Sequence, residues 1–233
     1  MRNYVIQNGK DSREIKGLLI SELPAISKPA VRTDIMEIDG RDGDIALVLG
    51  YSAYDKHMTI GLYGDYDIDE IIPFFNTSGT VTFSNEPERY YRYQILNQID
   101  FERLVRFRTA EVVYHVQPFK YSTIETLKKF SNPAGSITVR NNGNYVSRPV
   151  IEITGTGTIT LSLNGLQLFN IDMGTSSSVT IDTENMEAYS GSTLMNRSVQ
   201  GDYDSFALNI GANEIAFSGN VSSISFKNYS RWI

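Results

Sequence analysis

Apolar and polar residues alternate with a period of two along much of the chain, most clearly after residue 130. In residues 158–163 (TITLSL) the three apolar side chains fall on one face of a strand. Asn164 and Gly165 follow, before a second apolar run. This dipeptide suits a type I′ hairpin turn, because both central residues of that turn need a positive φ. The pattern therefore predicts a β-hairpin.

Other short runs of the same kind lie in the C-terminal part, at residues 136–139, 150–153, 215–217 and 224–226. Gly219 and Asn220 stand between the last two runs and predict a second hairpin. Many short strands separated by regular turn signals are typical of a β-sandwich or jelly roll. We expect that fold after residue 130, with no helix of normal length.

The first 130 residues show strands and short helical segments. Strand-like runs lie at residues 58–63, 80–83, 90–96 and 110–116. A short helix is predicted at 68–75, where Asp67 can cap the first turn and Glu70 stands at the capping-box position. The apolar spacing in 101–107 predicts a second helical turn.

The amino-acid composition argues against several kinds of binding and catalytic site. The 233 residues carry 21 Lys and Arg against 27 Asp and Glu, for a formal net charge of -6, with two His and no Cys. An acidic chain lacks the basic face that phosphate binding needs, so nucleic-acid binding is not expected. Without cysteine there is no disulfide and no thiolate, and two histidines are too few for a usual zinc site. We therefore expect no metal and no cofactor.

Charge density changes along the chain. Residues 1–130 hold 35 charged side chains, whereas residues 131–233 hold 13 and are rich in Ser, Thr, Asn and Gly. Pro and Gly punctuate the segment SNPAG at residues 131–135. We expect two domains, 1–132 and 133–233. The chain shows neither a signal peptide nor a membrane-spanning apolar run, so we expect a soluble protein made in a cytoplasm.

The most turn-like segment of the N-terminal half is DGRDGD, residues 39–44. Its carboxylates can bind a cation, but the residue types favour a solvated hairpin or loop. Gly40, Arg41, Asp42 and Gly43 are our candidates for a turn or a contact between subunits. The Gly-Thr-Gly at 155–157 lacks a following helix, so it indicates a turn or bulge rather than a dinucleotide site.

Nothing in the sequence marks a catalytic centre. His57 and His115 lie far apart in strand-like settings, and the chain has no Gly-x-Ser-x-Gly motif for either to serve. The 27 acidic residues leave a glycosidase-type pair open but single none out. The 14 Tyr, 11 Phe and single Trp can stack on sugars, although most are expected in the core or in interfaces. We therefore predict no catalytic residue.

Several segments, in a fixed order, carry a resemblance to a known family. They are residues 36–43 (MEIDGRDG) with the strand from 56 to 63, 90–104 beginning YYRY, 107–121 ending QPFKY, 142–153 (NGNYVSRPVIEI), and 211–219 (GANEIAFSG) before Arg231 and Trp232. Together they resemble the distal tail protein (Dit) family of bacteriophages with long, non-contractile tails, particularly those of Gram-positive hosts.

The resemblance implies a mainly β fold. An N-terminal β-sandwich domain with a small helix would form a homo-hexameric ring, and a C-terminal galectin-like β-sandwich, or jelly roll, would lie outside it. The implied protein is a structural, non-enzymatic part of the virion tail tip, made in the host bacterial cytoplasm. Its ring would join the tail-tube protein to a tail-tip protein of lysin or fibre type, with neither nucleic acid nor membrane as a partner.

Two other functions remain open from the sequence. A carbohydrate-binding module would recognise host cell-wall glycan through tyrosines or Trp232 on an exposed concave face. A wall-degrading hydrolase would place two carboxylates in a cleft.

Overall fold

The computed structural model describes residues 2–40, 42–124 and 127–233. The chain divides into two compact units, Met1–Lys120 together with Ile233, and Tyr121–Trp232. Each unit has a hydrophobic cluster of its own.

Strands dominate both units. In the described residues, the strands of the first unit are β1 (Val5–Gln7), β2 (Lys10–Asp11), β3 (Leu18–Glu22), β4 (Val31–Glu37), β5 (Asp44–Tyr51), β6 (Tyr54–Leu62), β7 (Ser78–Phe83), β8 (Arg89–Gln94) and most of β9 (Thr109–Ser122). Those that follow are β10 (Lys128–Ser131), β11 (Ser136–Asn141), β12 (Val150–Leu163), β13 (Leu166–Asp172), β14 (Ser178–Asp182), β15 (Glu187–Ser190), β16 (Thr193–Leu194), β17 (Val199–Gly201), β18 (Gly211–Lys227) and β19 (Arg231–Trp232). The α-helices are α1 (Ile68–Phe74) and α2 (Phe101–Phe107), and Ser12–Glu14 forms a single 3-10 turn.

In the first unit, one sheet runs in the order β2-β1-β7-β8-β9-β6-β3. Alternate side chains of these strands are buried together, among them Ile60, Val112 and Tyr114. β6 and β9 pair antiparallel from Tyr54 opposite Val116 to Gly61 opposite Thr109. This strand pair extends from the segment that follows β5 to the segment that follows α2.

Both helical segments predicted in the first unit are present. Asp67 caps α1 through its carboxylate, which accepts the backbone N–H of Asp69 at 3.0 Å. The reciprocal half of a capping box is missing, because Glu70 accepts the backbone N–H of Lys16 at 3.5 Å instead. Asp100 caps α2 by accepting the N–H of Arg103 at 2.8 Å.

The second unit is a sandwich whose two layers share long strands. The first part of β12 pairs with β14 and its second part pairs with β13, while β18 pairs along most of β12. Likewise the first part of β18 pairs with β11 and its second part with β10. Both strands change layer where their mutual register is interrupted around Gly155 and Gly157. Strands that switch sheets through a bulge form the corners of such sandwiches.

The two predicted hairpin turns had different outcomes. Asn164 and Gly165 connect β12 to β13 with φ of 50° and 87°, so that prediction is confirmed. Gly219-Asn220 is not a hairpin turn, because β18 continues through it. Gly219 alone has a positive φ, 95°, which makes a bend in the strand but does not reverse it. The turn or bulge predicted at 155–157 is confirmed as a bulge.

The division between the units falls upstream of the predicted boundary after Asn132. Strand β10 lies before that boundary, yet it pairs with β18 of the second unit, and Phe130 packs against the second unit's core. The Pro- and Gly-containing segment at 131–135 is thus the connection between β10 and β11. The predicted ranges 1–132 and 133–233 therefore differ from the division by packing.

The predicted fold class is confirmed. The described chain is mainly β, with β-sandwich architecture and two small helices in the first unit. The second unit is a β-sandwich, as the resemblance implies.

Candidate functional site

The most distinctive surface of the first unit is a β-hairpin, residues 31–51, which we call the arm. Its strands, β4 and β5, pair only with each other, in a two-stranded sheet of their own within the described residues. Every residue of β4 is exposed, and so are most residues of β5. An isolated two-stranded hairpin is marginally stable in water. The arm is therefore an element that lacks the second layer that hairpins normally pack against.

Both faces of the arm carry exposed apolar side chains. The register places Ile35 near Val48 on one face and Met36 near Leu47 on the other. Leu47 is 54% exposed and Val48 is 63% exposed. Contiguous exposed apolar surface of this kind marks an interaction site. Since neither face is covered, the arm can contact a partner on two sides.

Three of the four predicted turn residues, Gly40, Asp42 and Gly43, lie at the tip of the arm. Gly40 and Gly43 have φ of 79° and 80°, which glycine adopts without strain, and Asp42 lies between them. Arg41 lies outside the described residues. The tip encloses a surface depression of ≈ 550 Å³ whose lining is largely acidic: Glu37, Ile38, Asp39, Gly40, Asp42, Gly43 and Asp44.

Hydrogen bonds and one ring contact fix the root of the arm. The Lys56 ammonium donates to the Ala25 carbonyl at 2.8 Å, and the Asn85 amide donates to the Pro24 carbonyl at 2.9 Å. The Ser52 N–H donates to the Ala30 carbonyl at 2.9 Å, which holds the two ends of the arm together. Beside it, the rings of Tyr51 and Phe119 meet edge to face with centroids 6.0 Å apart. The arm thus leaves the sheet from a defined point.

A buried polar cluster underlies this root. Lys56 is only 3% exposed, and its ammonium lies 4.8 Å from the centre of the Tyr91 ring. Lys120 forms an ion pair of 2.8 Å with Glu86, which also accepts a hydrogen bond from the Tyr91 hydroxyl. A buried charge that lacked such partners would be strongly destabilising. Lys56 therefore depends on the cluster around it.

Burial shifts the pKa values in this cluster. It lowers the pKa of Lys56 to about 8, a shift that the Glu86 carboxylate opposes and the Lys120 ammonium increases. Burial alone would raise the pKa of Glu86, but hydrogen bonds from Lys120 and Tyr91 and the nearby ammonium charges lower it. Burial and the contact with Glu86 raise the pKa of Tyr91. At neutral pH Lys56 and Glu86 therefore both keep their charges.

Sequence reasoning missed this cluster, although one signal was available. Lys56 shares the inward face of β6 with Met58 and Ile60. A lysine at an inward position of an alternating strand is rarely buried unless it is paired. Its partners Glu86 and Lys120 are distant in sequence, and only the fold brings them together.

The two histidines do not meet in one site. His57 contacts Glu111 at 2.9 Å, and His115 contacts Asp55 at 2.8 Å, in separate pairs on the outward face of β6 and β9. In the part of the chain that the structure describes, no group of three or more His, Asp or Glu side chains is placed to hold a metal. Nor do the described residues include a helix long and apolar enough to cross a membrane.

No protein-family profile matches the sequence, and no curated protein matches it. Solved structures do match in fold. The chain is similar over its whole length to the Dit protein of phage SPP1, described as a paradigm of the hub adsorption apparatus in phages that infect Gram-positive bacteria. That match covers 100% of both chains with 16% identity and a TM-score of 0.68.

Two phage P2 baseplate structures in the activated conformation also contain similar chains. In the structure with Ca, the match covers 100% of this chain and 98% of the other, with 9% identity and a TM-score of 0.58. In the structure with Sr, it covers 97% of each chain, with 10% identity and a TM-score of 0.53. At such identities the likeness establishes the fold, which is Dit-like; function has to be argued from the site.

Proposed function

We propose that the protein is a structural, non-catalytic component of a bacteriophage tail tip. Six copies form a ring, and this hub joins the tail-tube protein to a tail-tip protein of lysin or fibre type. The observation that carries the proposal is the agreement of the whole chain with a phage hub protein, from end to end of both chains. The protein would be made in the host bacterial cytoplasm and reside in the virion tail.

The arm is a structural feature that favours the proposed ring. A closed ring needs a heterologous interface, in which each subunit offers two different complementary surfaces. An exposed apolar hairpin with a fixed root is suited to be one of them, because covering it removes apolar surface from water. We assign the arm this role, and we propose Gly40, Arg41, Asp42 and Gly43 as contacts to a neighbouring subunit.

The mass of the purified protein in solution, alone and mixed with the tail-tube and tip proteins of the same phage, tests this proposal. We expect an assembly of six chains of 26.2 kDa each. A persistent monomer in every mixture would overturn the proposal.

A paired substitution tests the arm separately. The double variant Leu47→Asp, Val48→Asp, the arm variant, puts two charges into the surface to be covered. It should therefore stay monomeric while keeping its secondary structure. Leu194→Asp with Ile210→Asp is the control, since these two side chains are also exposed, at 70% and 61%, but lie in the second unit. Rings from the arm variant would show that the arm is not a subunit contact.

The structure offers little for the carbohydrate-binding alternative. Stacking on a sugar requires an exposed ring, yet each aromatic side chain among the described residues of the second unit is buried or half-buried, Trp232 included. Binding of residues 121–233 to cell-wall glycan, with loss of binding on Trp232→Ala, would revive that alternative.

A further inference from the structure

The segment around α2 carries a second exposed apolar surface. Leu104 is the buried anchor of this short helix, while Val105 is 41% exposed and Phe107 is 65% exposed. Leu96, in the segment leading into α2, is exposed as well. A phenylalanine and two aliphatic side chains exposed within one short segment are more than scattered surface residues require. This surface lies in the first unit, as the arm does.

The charge of this segment is basic. Residues 101–108 contain three arginines and one glutamate. Arg103, Arg106 and Phe107 line one surface depression of ≈ 290 Å³, together with Asp100 and Glu102. Asp100 is engaged as the helix cap, and Glu102 lies 3.8 Å from Arg106 in an exposed pair that contributes little. An acidic partner would thus meet guanidinium groups beside an exposed aromatic ring.

The arm has the complementary character. Residues 31–51 contain five acidic residues and two arginines, and four of the five acids lie between 37 and 44, at the tip. The arm also carries the exposed apolar side chains described above. Both surfaces therefore combine apolar side chains with charge, and the charges have opposite sign.

The fold places these surfaces at opposite ends of one strand pair. The arm ends at Tyr51, next to the pairing of Tyr54 with Val116, and α2 ends next to the pairing of Gly61 with Thr109. At about 3.3 Å per residue, these ends are roughly 25 Å apart. A donor surface and an acceptor surface at opposite ends of a subunit are the arrangement for head-to-tail contacts.

We infer that the exposed side of the α2 segment, centred on Arg103, Arg106 and Phe107, is the acceptor for the arm of a second copy of this chain. The inference rests on the proposed ring and names the partner surface within it. The apolar side chains supply affinity, and the opposite charges set orientation.

Charge exchange between variants tests the inference. One variant carries Arg103→Glu and Arg106→Glu on α2, and the other carries Asp42→Lys and Asp44→Lys on the arm. Each alone brings like charges together, so each should be monomeric where the wild-type chain forms rings. Mixed one to one, they should recover the ring mass, because alternating copies restore opposite charges at all six contacts.

The control for the α2 variant is Lys129→Glu with Lys227→Glu, which makes the same change in net charge at exposed positions of the second unit and should leave the ring intact. Circular dichroism and the melting temperature verify that each variant is folded. If the wild-type chain forms rings, the proposed function stands. The inference would then be overturned by rings of the α2 variant alone, or by a mixture of the two variants that does not recover the ring mass. A wild-type chain that never assembles would overturn both.

Discussion

Lys56 is the residue whose surroundings least suit its chemistry. Its ammonium is buried below the root of the arm, where it donates to the Ala25 carbonyl and faces Tyr54, Phe83, Tyr91, Glu86 and Lys120. Burial brings the pKa of Lys56 down to about 8, against an ordinary value of 10.5.

As the pH rises above about 8, the folded chain progressively loses the Lys56 proton, whereas the unfolded chain retains it up to about pH 10.5. Unfolding then takes up a proton, so the free energy of unfolding should rise with pH, by at most about 1.4 kcal/mol per pH unit. Above pH 10 the raised pKa values of Tyr91 and Tyr114 act in the opposite direction. Urea unfolding between pH 8 and 9.5 is therefore the measurement. Lys56→Met should remove the rise and exposed Lys16→Met should keep it; equal slopes in both variants would contradict the assignment.

Two neighbouring glycines at the corner of the second unit have different reasons to be glycine. A Cβ on Gly155 would lie 2.3 Å from the carbonyl oxygen of Asn220, whereas a Cβ on Gly157 would meet nothing within 4 Å. Gly157 instead has a φ of +74°, in the left-handed region. Within one bulge, Gly155 is therefore required by steric overlap, and Gly157 is required by its backbone conformation.

We predict that alanine destabilises the chain at both positions, by about 1–3 kcal/mol. Asparagine tolerates the left-handed region, so Gly157→Asn should recover most of the loss. Gly155→Asn should recover none, because the overlap with Asn220 persists. Chemical denaturation of the four variants checks this, and equal behaviour of the two asparagine variants would show the explanation to be wrong.

At the scale of elements, the sequence predicts those strands and turns whose conformation is determined by neighbouring residues. Alternation identified the central strands because each has one buried and one exposed face, and Asn164-Gly165 specified its turn because both residues adopt positive φ. Gly219-Asn220 contains the same two residue types, but it does not form a hairpin turn, because β18 pairs with β12 on both sides of it. For the arm, the sequence predicted only the turn residues at the tip. Its strands were not predicted, because strands that are exposed on both faces need no alternation of apolar and polar residues.

The boundary between the units gives a prediction at this scale. A fragment starting at residue 133 lacks β10, which exposes the edge of β18 and removes the edge-to-face contact of Phe130 with Phe226, centroids 6.4 Å apart. We expect residues 133–233 to be less stable than residues 121–233 by about 2 kcal/mol or more, and to aggregate more readily. Denaturation of both fragments decides the matter; equal stability would favour the boundary predicted from the Pro-Gly punctuation.

At the scale of the whole molecule, composition and fold describe the same contrast. The charge-rich part of the sequence contains the arm and the α2 segment, which are the surfaces assigned to contacts between copies. The Ser-, Thr-, Asn- and Gly-rich part is the sandwich of the second unit. Sequence alone could not locate the buried Lys56 cluster or the acceptor surface, because both depend on residues that only the folded sheet brings into relation.

Electron microscopy of the purified wild-type protein, alone and mixed with the tail-tube and tip proteins of the same phage, tests the central claim most directly. The account predicts ring-shaped particles with six-fold symmetry. Particles of single-chain size in every sample, or rings of another symmetry, would contradict it.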